Sequence, residues 1–386
     1  MAAPGTPTPD RLELSSAAAA VRAVVADPAT VAVVPARAVR PLVRSVSVAG
    51  IDPLTQPKRY PIRTGAREPA APVVQMSVVG DIMLGRGVAD AARASGDPSL
   101  ALRPMASRLA GADITVGNLE NTLSSDGTPT QGDDSFAAPR SVVAGLRDAG
   151  FDVLSLANNH LGDFGDRALA ESVRRLRGGG LDTFGAGADP ARAWHPAVVE
   201  RGGTRFGFLG FNAIGETPRV RPGQPGAVSV SMPPRTGPLN RADLARFLRA
   251  VRRLDGEVDV VVAMPHWGTQ YTNVPEPIQQ RVAQEMVAAG VDLVVGGHPH
   301  WVQGARIVGD RLVVHSLGNF VFDMDFMEQT QKGLLLELTY WGSDLKAAEF
   351  VPYAMDENFA PRVQSFREGI ETLRLMWATS GPAFSR

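Results

Sequence analysis

The amino-acid sequence predicts an α/β protein, and three observations support that class. Of the 386 residues, 44% are hydrophobic, which is enough for the core of one large α/β domain or of two modest ones. From Val73 onwards, short apolar runs are each followed by Gly, Asn or His. Segments with apolar residues three and four positions apart lie between these runs, and this alternation is typical of sheets covered by helices.

The front of the chain has a different composition, rich in Pro, Ala and Arg. It contains one helix-like run at residues 12–26 and two short β-like runs, "TVAVVPARAV" and "RSVSVAG". The following "PLTQPKRYPIRTGAREPAAP" is typical of an extended linker. We therefore predict that residues 1–72 form an N-terminal arm or linker, or the remnant of a preceding domain, and that residues 73–386 form the main domain.

Within the main domain, each predicted strand is a short apolar run bounded by turn-forming residues. In chain order the strand candidates are "VVQMSVVG", "ADITVG", "FDVLSLA", "RFGFLGF", "VDVVVAMP", "VDLVVGG" and "RLVVHSLG". The helix candidates are "SLALRPMASRLA", "RSVVAGLRDAG", "DRALAESVRRLRGGG", "NRADLARFLRAVRRLDG" and "PIQQRVAQEMVAAG". Gly150, Gly178 and Gly290 lie where helices are expected to end. The C-terminal "GLLLELTYWGSDLKAAEFVPYAM" predicts two strands joined at Gly342, with a last helix at residues 366–377.

Charge and cysteine content exclude several classes of function. The formal net charge is −1, so no basic field is available for nucleic acid, and we predict no nucleic-acid partner. Cysteine is absent, so any metal must be held by nitrogen and oxygen ligands. No stretch approaches the roughly 18 apolar residues of a membrane helix, and the N-terminus lacks the order of a signal peptide. The chain as given is predicted to be soluble, with no transmembrane segment.

Metal-competent side chains follow five of the predicted strands within a few residues. The loops at the carboxyl ends of the strands in an open α/β sheet gather into one crevice, so these side chains are expected to meet there. They are Asp81, Glu120, Asn159 with His160, His266, and His298 with His300. We interpret them as one constellation.

This set of side chains predicts a divalent cation site. Carboxylates, a carboxamide oxygen and imidazoles are donors that zinc, manganese and iron accept. In "HPH" we predict an extended backbone, stiffened by Pro299, in which His298 and His300 point the same way and reach neighbouring ions. Gly296 and Gly297 are expected to remove side-chain bulk where the chain turns close to the site.

Taken singly, several of these residues have ordinary structural explanations. Asp81 is compatible with a helix cap or turn, and Glu120 with the first turn of a helix. "ANNH" is compatible with an Asx turn, and Asp163 with a helix cap. His266 is compatible with a packed, hydrogen-bonded histidine. The metal interpretation depends on the joint pattern, in which four of the six histidines fall at strand ends.

Three further polar residues lie outside this pattern. His195, in "ARAWHPAVV", is predicted to be at the surface or hydrogen-bonded. His315 is predicted to lie within a strand with a structural role, or to support a ligand indirectly. Asn319, in "SLGNF", is predicted either to line the crevice and bind substrate or to form a structural turn.

The motifs "GDIMLGR", "GNLENTLS", "SLANNHLGDFG", "PHWGTQY", "GGHPHWVQG" and "SLGNFVFD" resemble, in order and spacing, those of one family. It is the CapA-type proteins of capsule and poly-γ-glutamate synthesis, a branch of the calcineurin-like metallophosphoesterases. The resemblance covers residues 74–323. It implies a four-layer αββα sandwich, in which two sheets pack face to face between helices.

The resemblance also implies roles for individual residues. Asp81, Glu120 and His300 would hold a first metal, with Glu120 bridging. A second metal would be held by Asn159, His266 and His298. The resemblance further implies that His160 is catalytic, that Asp163 orients it and that Arg86 binds an anionic group of the substrate.

Two positions depart from the pattern. The wider superfamily has Asp-x-His where this chain has Asp81, Ile82 and Met83, so the first metal would lack one imidazole. Gln270 stands in "HWGTQY" where the branch usually has Glu, so a charge near the site is missing. His300 is then expected to be the only imidazole on the first metal.

The function implied is a metal-dependent hydrolase of the phosphoesterase type in capsule or poly-γ-glutamate metabolism, using one or two manganese, zinc or iron ions. Its substrate would be an anionic small molecule or polymer. Two alternatives stay open: acyl, γ-glutamyl or peptide chemistry in the same pocket, and a non-enzymatic polymer-binding or assembly role. Envelope polymer-synthesis proteins are expected partners, and the full-length protein is expected to be exported or associated with the cell envelope.

Overall fold

The structure is a computed structural model that describes residues 13–27, 29–62 and 72–384. It confirms the α/β class. The helices are α1 (Ala17–Ala26), α2 (Arg86–Ser95), α3 (Arg103–Leu109), α4 (Val142–Asp148), α5 (Gly165–Gly178), α6 (Pro190–Ala193), α7 (Arg241–Asp255), α8 (Pro277–Ala288) and α9 (Ile370–Thr379). The strands in the first half are β1 (Val73–Ile82), β2 (Ile114–Leu119), β3 (Val153–Ser155), β4 (Asp182–Phe184), β5 (Ala186–Gly187), β6 (Ala197–Arg201) and β7 (Thr204–Asn212). Those in the second half are β8 (Gly226–Ala227), β9 (Val260–His266), β10 (Leu293–Val295), β11 (Val302–Val308), β12 (Arg311–Leu317), β13 (Asn319–Val321), β14 (Lys332–Trp341), β15 (Asp344–Met355) and β16 (Pro361–Val363).

Two large sheets form the centre of the described protein. The first has the order β16-β15-β14-β1-β2-β3-β4, and β13 also pairs with β1. Strands β1 to β4 are parallel, whereas β14, β15 and β16 extend the sheet by antiparallel pairing. The second has the order β11-β12-β10-β9-β7-β6, parallel in the middle with an antiparallel strand at each edge.

Alternating side chains of the strands enter different cores. In β9, Val260 and Val262 pack between the two sheets, whereas Val261 and Ala263 pack against α7 and α8. In the first sheet, Leu335 faces the core shared with α2 to α5, and its neighbours in β14 face the other sheet. Because a strand exposes alternate residues on opposite faces, this division requires helices outside both sheets. The predicted αββα layering is confirmed.

The main-domain strands predicted from sequence are all present, and several further elements were missed. Among the missed ones, β6 and β11 are edge strands of the second sheet, partly exposed and therefore weak in apolar signal. Helix α2 was missed because only Val88 and Ala89 of its small and charged residues are buried. No helix in the described part of the chain is long and apolar enough to cross a membrane.

The front part agrees with prediction only in its helix. Helix α1 lies within the predicted run, but the two β-like runs form no strand: the first contains a 3-10 turn at Ala36–Ala38, and the second has only a bridge between Val48 and Ile51. The strand predictions were wrong because apolar residues without a partner strand remain at the surface, as the 76% exposure of Val31 shows. The described arm contacts β14, where Trp341 Nε1 donates to the Leu54 carbonyl (2.7 Å). Residues 63–71 of the predicted linker lie outside the described residues, and the domain boundary at residue 72 stays a prediction.

Candidate metal centre

The carboxyl ends of strands from both sheets bring the predicted ligands together. The ligands share a position at or just after the end of a strand, and all are buried: Asp81 in β1, Glu120 after β2, Asn159 and His160 after β3, His266 at the end of β9, and His298 and His300 after β10. The two sheets are joined at this point, because the backbone N–H of His298 donates to Asp81 Oδ2 (3.0 Å). The predicted crevice is therefore a meeting point of the two sheets.

The glycines before the histidines have the steric role predicted for them. A Cβ on Gly297 would lie 2.5 Å from Asp81 Oδ1, and one on Gly296 would lie 2.1 Å from the carbonyl oxygen of His315. Both distances are shorter than any non-bonded contact that carbon makes in proteins. Any larger residue would push the histidine loop away from Asp81.

The "HPH" backbone is not extended, and that prediction was wrong. His298 and His300 have φ values of 93° and 59°, in the left-handed region that non-glycine residues rarely adopt. Their imidazoles nevertheless remain neighbours, with ring centroids 5.7 Å apart. Such conformations cost about 1–3 kcal/mol each and cluster at functional sites, where surrounding contacts hold them.

Glu120 is the centre of the constellation. Its side chain is fully buried, and neither of its oxygens has a hydrogen-bond partner among the described residues. The Nε2 atom of His266 lies 3.2 Å from Oε1, and that of His160 lies 4.0 Å from it, but neither contact has hydrogen-bond alignment. Two buried carboxylate oxygens without donors would be costly unless a proton or a cation meets them.

The imidazoles around Glu120 also present free nitrogen atoms. Within the described chain, both nitrogens of His298 and the Nε2 of His300 have no hydrogen-bond partner. The Nδ1–H of His300 donates to Asn319 Oδ1 (2.8 Å), since the amide nitrogen of Asn319 donates to the Thr330 carbonyl. That tautomer leaves a lone pair on Nε2, as a metal ligand needs.

Burial shifts the pKa values of both the carboxyls and the imidazoles of this site. Burial, with the nearby carboxyl of Glu120, raises the pKa of Asp81 to about 7, and burial raises the pKa of Glu120 to about 8. Burial likewise lowers the pKa of His266 to about 4 and that of His300 to about 3. Neutral imidazoles are ready to coordinate, and a divalent ion would favour the ionised carboxylates.

Two overlapping groups of side chains have ligand atoms close enough to share an ion. Asp81, Glu120 and His266 form one group, and Glu120, His298 and His300 form the other, with all ligand atoms of a group within 4.8 Å of one another. Asn159 adds an oxygen to the first group, 2.8 Å from His266 Nε2. Two ligands of one ion with bonds of about 2.1 Å lie at most about 4.2 Å apart, so sharing an ion requires at most small shifts of these side chains.

The grouping differs in part from the one implied by the resemblance. His266, rather than His300, accompanies Asp81 and Glu120, and His300 accompanies His298. Asn159 stays beside His266 as expected, and Glu120 belongs to both groups, as a bridging ligand would. The oxygen and nitrogen donors present therefore fit one or two ions of zinc, manganese or iron type.

His160 is held by Asp163 and by Phe136. Its Nδ1 lies 2.9 Å from Asp163 Oδ2, and its ring stacks on Phe136 at a centroid distance of 3.9 Å. Asp163 also accepts from the Phe136 backbone N–H (2.7 Å) and from Gln131 Nε2 (2.6 Å). Asp163 thus fixes the imidazole and does not cap α5, whose first-turn N–H groups receive no side-chain cap.

Arg86 lies beside His160 with the aromatic ring of Phe136 between them. Its guanidinium carbon is 4.4 Å from the Phe136 ring centroid, and Asp323 accepts hydrogen bonds from Nε and Nη2. About 30% of the Arg86 side chain is exposed. It is therefore available to an anion at the edge of the site, but Asp323 already offsets part of its charge.

Asn319 does not lie where a substrate-binding residue, as predicted for it, would be expected. Its amide is fully buried, and both ends are used, by His300 and by the Thr330 carbonyl. Strand β13 pairs with β1 so that Asn319 lies opposite Asp81. The observed contacts orient His300, and no face of the amide is open to a substrate.

The two other histidines agree with their predictions. His195 is exposed and away from the strand ends. His315 lies inside β12, fully buried, with Nδ1 2.8 Å from the Gly304 carbonyl oxygen and its ring stacked on Trp267. Burial lowers the pKa of His315 to about 4.

Several residues of the site were missed in the sequence. Asn118 donates to Asp81 Oδ1 (2.8 Å) and lies 3.3 Å from His266 Nδ1, so it links two predicted ligands. Asn158 donates to Asn118 Oδ1 (2.9 Å), and it also accepts from two backbone N–H groups in the Asx turn considered for "ANNH". The signal for Asn118 was present, since it lies at the end of β2 in the same motif as Glu120. Gln131 had none, because it lies in a loop between two of the motifs and belongs to neither.

The family and the relatives that this chain resembles are named for capsule, PGA or polyglutamine synthesis. A family model described as "Bacterial capsule synthesis protein PGA_cap" matches residues 75–324. The "Capsule biosynthesis protein CapA" of Bacillus anthracis is 30% identical over 295 residues, which cover 75% of this chain and 69% of that protein. The "PGA biosynthesis protein CapA" of Bacillus subtilis is 28% identical, covering 68% of this chain and 67% of that protein. A "Probable polyglutamine synthesis accessory protein" of Mycobacterium tuberculosis is 27% identical, covering 66% and 75%.

Proposed function

The chain belongs to the PGA_cap family of bacterial capsule synthesis proteins, and from this premise we propose that it is a metal-dependent hydrolase of the phosphoesterase type. Its setting is capsule or poly-γ-glutamate metabolism, the subject of the relatives' names. The substrate is an anionic small molecule or polymer, and the site of action is the cell envelope.

One observation carries the proposal: three buried residues whose ligand atoms converge also have five polar atoms without hydrogen-bond partners in the described chain. They are both oxygens of Glu120, both nitrogens of His298 and the Nε2 of His300, taken among the described residues. A folded protein rarely leaves buried polar atoms unsatisfied, and each costs about 1–3 kcal/mol. Divalent cations would satisfy the oxygens of Glu120, the Nε2 of His300 and one nitrogen of His298.

The residues that would hold the ions are Asp81, Glu120, Asn159, His266, His298 and His300. A bound ion would supply positive charge that polarises a phosphoryl group and stabilises the negative charge of its transition state. Because Glu120 belongs to both ligand groups, the arrangement supports up to two ions.

His160 is the proton donor of the proposed reaction. With Nδ1 bonded to Asp163, its Nε2 is directed toward the region of Glu120, 4.0 Å from Oε1. When both ring nitrogens are protonated, a histidine held in this way transfers its Nε2 proton to a leaving oxygen, a role worth about 10²–10⁴-fold in rate. The stack on Phe136 and the buried Asp163 hold the ring in that orientation.

The test combines elemental analysis with turnover assays. Protein dialysed against chelator and reloaded with manganese, zinc or iron is assayed with a phosphomonoester, a phosphodiester and pyrophosphate. We expect one or two ions per chain and turnover of at least one substrate. The double variant H298A/H300A should lose turnover and the ion of its own ligand group, while H195A, which changes an exposed histidine, should keep both properties. Absence of turnover with every reloaded metal would refute phosphoester hydrolysis.

A second candidate keeps the metal site and changes the substrate to a γ-glutamyl amide or another peptide-like bond. The names of the Bacillus relatives favour it, because one is a "PGA biosynthesis protein". His160 would then act as acid or base beside a carbonyl. Incubating the reloaded protein with poly-γ-glutamate and with phosphoesters in parallel separates the two candidates, since each predicts product from one substrate only.

A third candidate is a non-enzymatic role in binding or assembling an envelope polymer. Met83, fully buried where the superfamily has a ligand histidine, favours it, as does Gln270 in place of Glu. The same double variant discriminates here as well. An enzyme loses turnover when His298 and His300 are removed, whereas a scaffold keeps its polymer or its envelope protein partner.

A further inference from the structure

Tyr271 has contacts that its sequence position, five residues after His266, does not explain. Its ring stacks on the imidazole of His300 at a centroid distance of 6.0 Å and an interplanar angle of 28°. Its backbone N–H donates to the Pro299 carbonyl (2.9 Å), so it is tied to the histidine loop itself. Tyr271 is therefore attached to the loop that carries the two histidines.

The conformation of Tyr271 is held at a cost. Its φ is 60°, in the left-handed region, which is unfavourable for a residue with a side chain. Three other residues of this site, Arg86, His298 and His300, share that feature. Packing of Phe326 edge-on to the ring, at 5.6 Å, holds Tyr271 in place from outside.

The hydroxyl of Tyr271 is free to meet a ligand. The side chain is about half-buried, and within the described residues its oxygen makes no hydrogen bond to protein. The charged groups of Asp134, Glu120 and Arg86 lie close enough to influence the phenol. A phenol hydroxyl donates one hydrogen bond.

We propose that the Tyr271 hydroxyl, together with the Arg86 guanidinium, donates hydrogen bonds to an anionic oxygen of the substrate beside the ligand cluster. The inference rests on the proposed function, because it deepens the same site. The two donors are complementary: Arg86 carries charge already shared with Asp323, whereas Tyr271 offers a neutral donor with no competing acceptor in the described protein. The oxygen belongs to a phosphoryl group or a carboxylate, and the two are separated by experiment.

The test uses the full chain, reloaded with manganese, in three versions: wild type, Y271F and Y340F. Y271F keeps the ring and its stack on His300 and removes only the hydroxyl. Y340F makes the same chemical change at a fully buried tyrosine between the sheets, whose hydroxyl also lacks a partner among the described residues. Binding of inorganic phosphate and of poly-γ-glutamate is measured by calorimetry, with manganese content by elemental analysis.

We expect Y271F to bind one of the two probes about tenfold more weakly than wild type, as for loss of one hydrogen bond to a charged group. Manganese content should be unchanged, and Y340F should bind like wild type. The probe affected identifies the oxygen as phosphoryl or carboxylate. The inference is overturned if Y271F binds both probes within twofold of wild type, if wild type binds neither, or if Y271F loses manganese.

Failure of the proposed function would look different. If wild type binds phosphate through Tyr271 and turns over no phosphoester, hydrolysis is refuted and the role of Tyr271 stands. If wild type turns over a phosphoester and Y271F has the same KM and the same phosphate affinity, only the role of Tyr271 is refuted.

Discussion

Two places in this protein bury histidine side chains completely, and they differ in what faces the imidazoles. His298 and His300 lie at the strand ends beside the carboxyls of Glu120 and Asp81. His315 lies inside β12 between a carbonyl oxygen and the ring of Trp267. Burial lowers the pKa at both places, to about 3 for His300 and about 4 for His315.

Burial and a lowered pKa therefore do not distinguish a ligand from a packed residue. Both places even contain a nitrogen without a partner in the described chain, since the Nε2 of His315 is also unsatisfied. The difference is convergence: at the strand ends, unpartnered atoms of several residues face one another within 4.8 Å. A lone unpartnered nitrogen is a local cost, whereas a convergent set is a binding site.

The largest effect is expected at Glu120, which belongs to both ligand groups. Glu120→Gln removes the negative charge while keeping the shape, so both ions should bind weakly. We expect metal content to fall well below one ion per chain and turnover to fall by about 10³-fold or more. His315→Gln, measured alongside, should keep its metal. Equal metal loss in both variants would contradict the claim that only the strand-end residues bind metal.

The second largest effect tests which histidines bind which of the two ions. If His298 and His300 share an ion, as their grouping indicates, H298A/H300A should lose one ion of two and H266A the other. The division implied by the sequence resemblance instead assigns His298 and His300 to different ions, so the double variant would lose both. Elemental analysis at saturating manganese, with H195A as control, decides between one ion and none.

A smaller effect is expected where the site depends on a positioning residue. Asp163→Asn keeps a side chain of the same size but lacks the charge that orients His160 Nδ1–H. We expect kcat to fall about 10–100-fold, with KM and metal content unchanged, as for other residues that orient a ligand or acid. Asp148→Asn, at an exposed carboxylate paired with Arg147, is the matched control. A fall in metal content would instead place Asp163 in the ligand set.

The pH dependence of stability has opposite signs in the presence and absence of metal. Because the pKa values of Asp81 and Glu120 are raised to about 7 and about 8, their stabilisation of metal-free protein is complete below about pH 4 and is lost as pH rises through 7 to 8. The Tm of chelator-treated protein should fall by several degrees between pH 6 and pH 8.5.

A bound divalent ion prefers the ionised carboxylates, so metal should stabilise the protein more at pH 8.5 than at pH 6. In E120Q the fall in Tm of the metal-free protein should be smaller than in wild type, because one of the two carboxyls with a raised pKa is gone. A metal-free protein whose Tm rises over this interval would contradict the protonation states assigned to the site.

The sequence predicted the strand-end residues of the site because their order along the chain matches the order of buried runs. Asp81, Glu120 and His266 each follow such a run directly, and parallel strands carry their ends to one edge. The α/β class followed from the alternation of apolar runs and helical segments, whereas the four-layer arrangement was implied by the resemblance of the motifs. The predictions that were wrong concern features that depend on contacts between segments distant in sequence.

The left-handed backbone of His298 and His300 is one such failure, because local preference favours an extended conformation and the contact of the loop with Asp81 overrides it. Asn319 is another: its turn motif carries no sign that its amide would be used by His300 and the Thr330 carbonyl. The β-like runs of the arm failed for lack of a partner strand. In each case the deciding interaction lies outside the sequence window.

The smallest effect is expected at His315, and it concerns stability alone. Since burial lowers its pKa to about 4, the folded protein holds it neutral, and its contribution to stability is lost as pH falls from about 6.5 through 4. His315→Gln keeps a donor for the Gly304 carbonyl but cannot be protonated, so its Tm should fall less than that of wild type between pH 6.5 and pH 4.5. The difference should be a degree or two, measured with chelator present so that ligand occupancy does not contribute. Metal content and turnover at pH 7.5 should equal those of wild type, because no carboxylate converges on this imidazole. A loss of either would mean that His315 helps to position the loop that carries His298 and His300. The two buried histidine sites would then depend on each other.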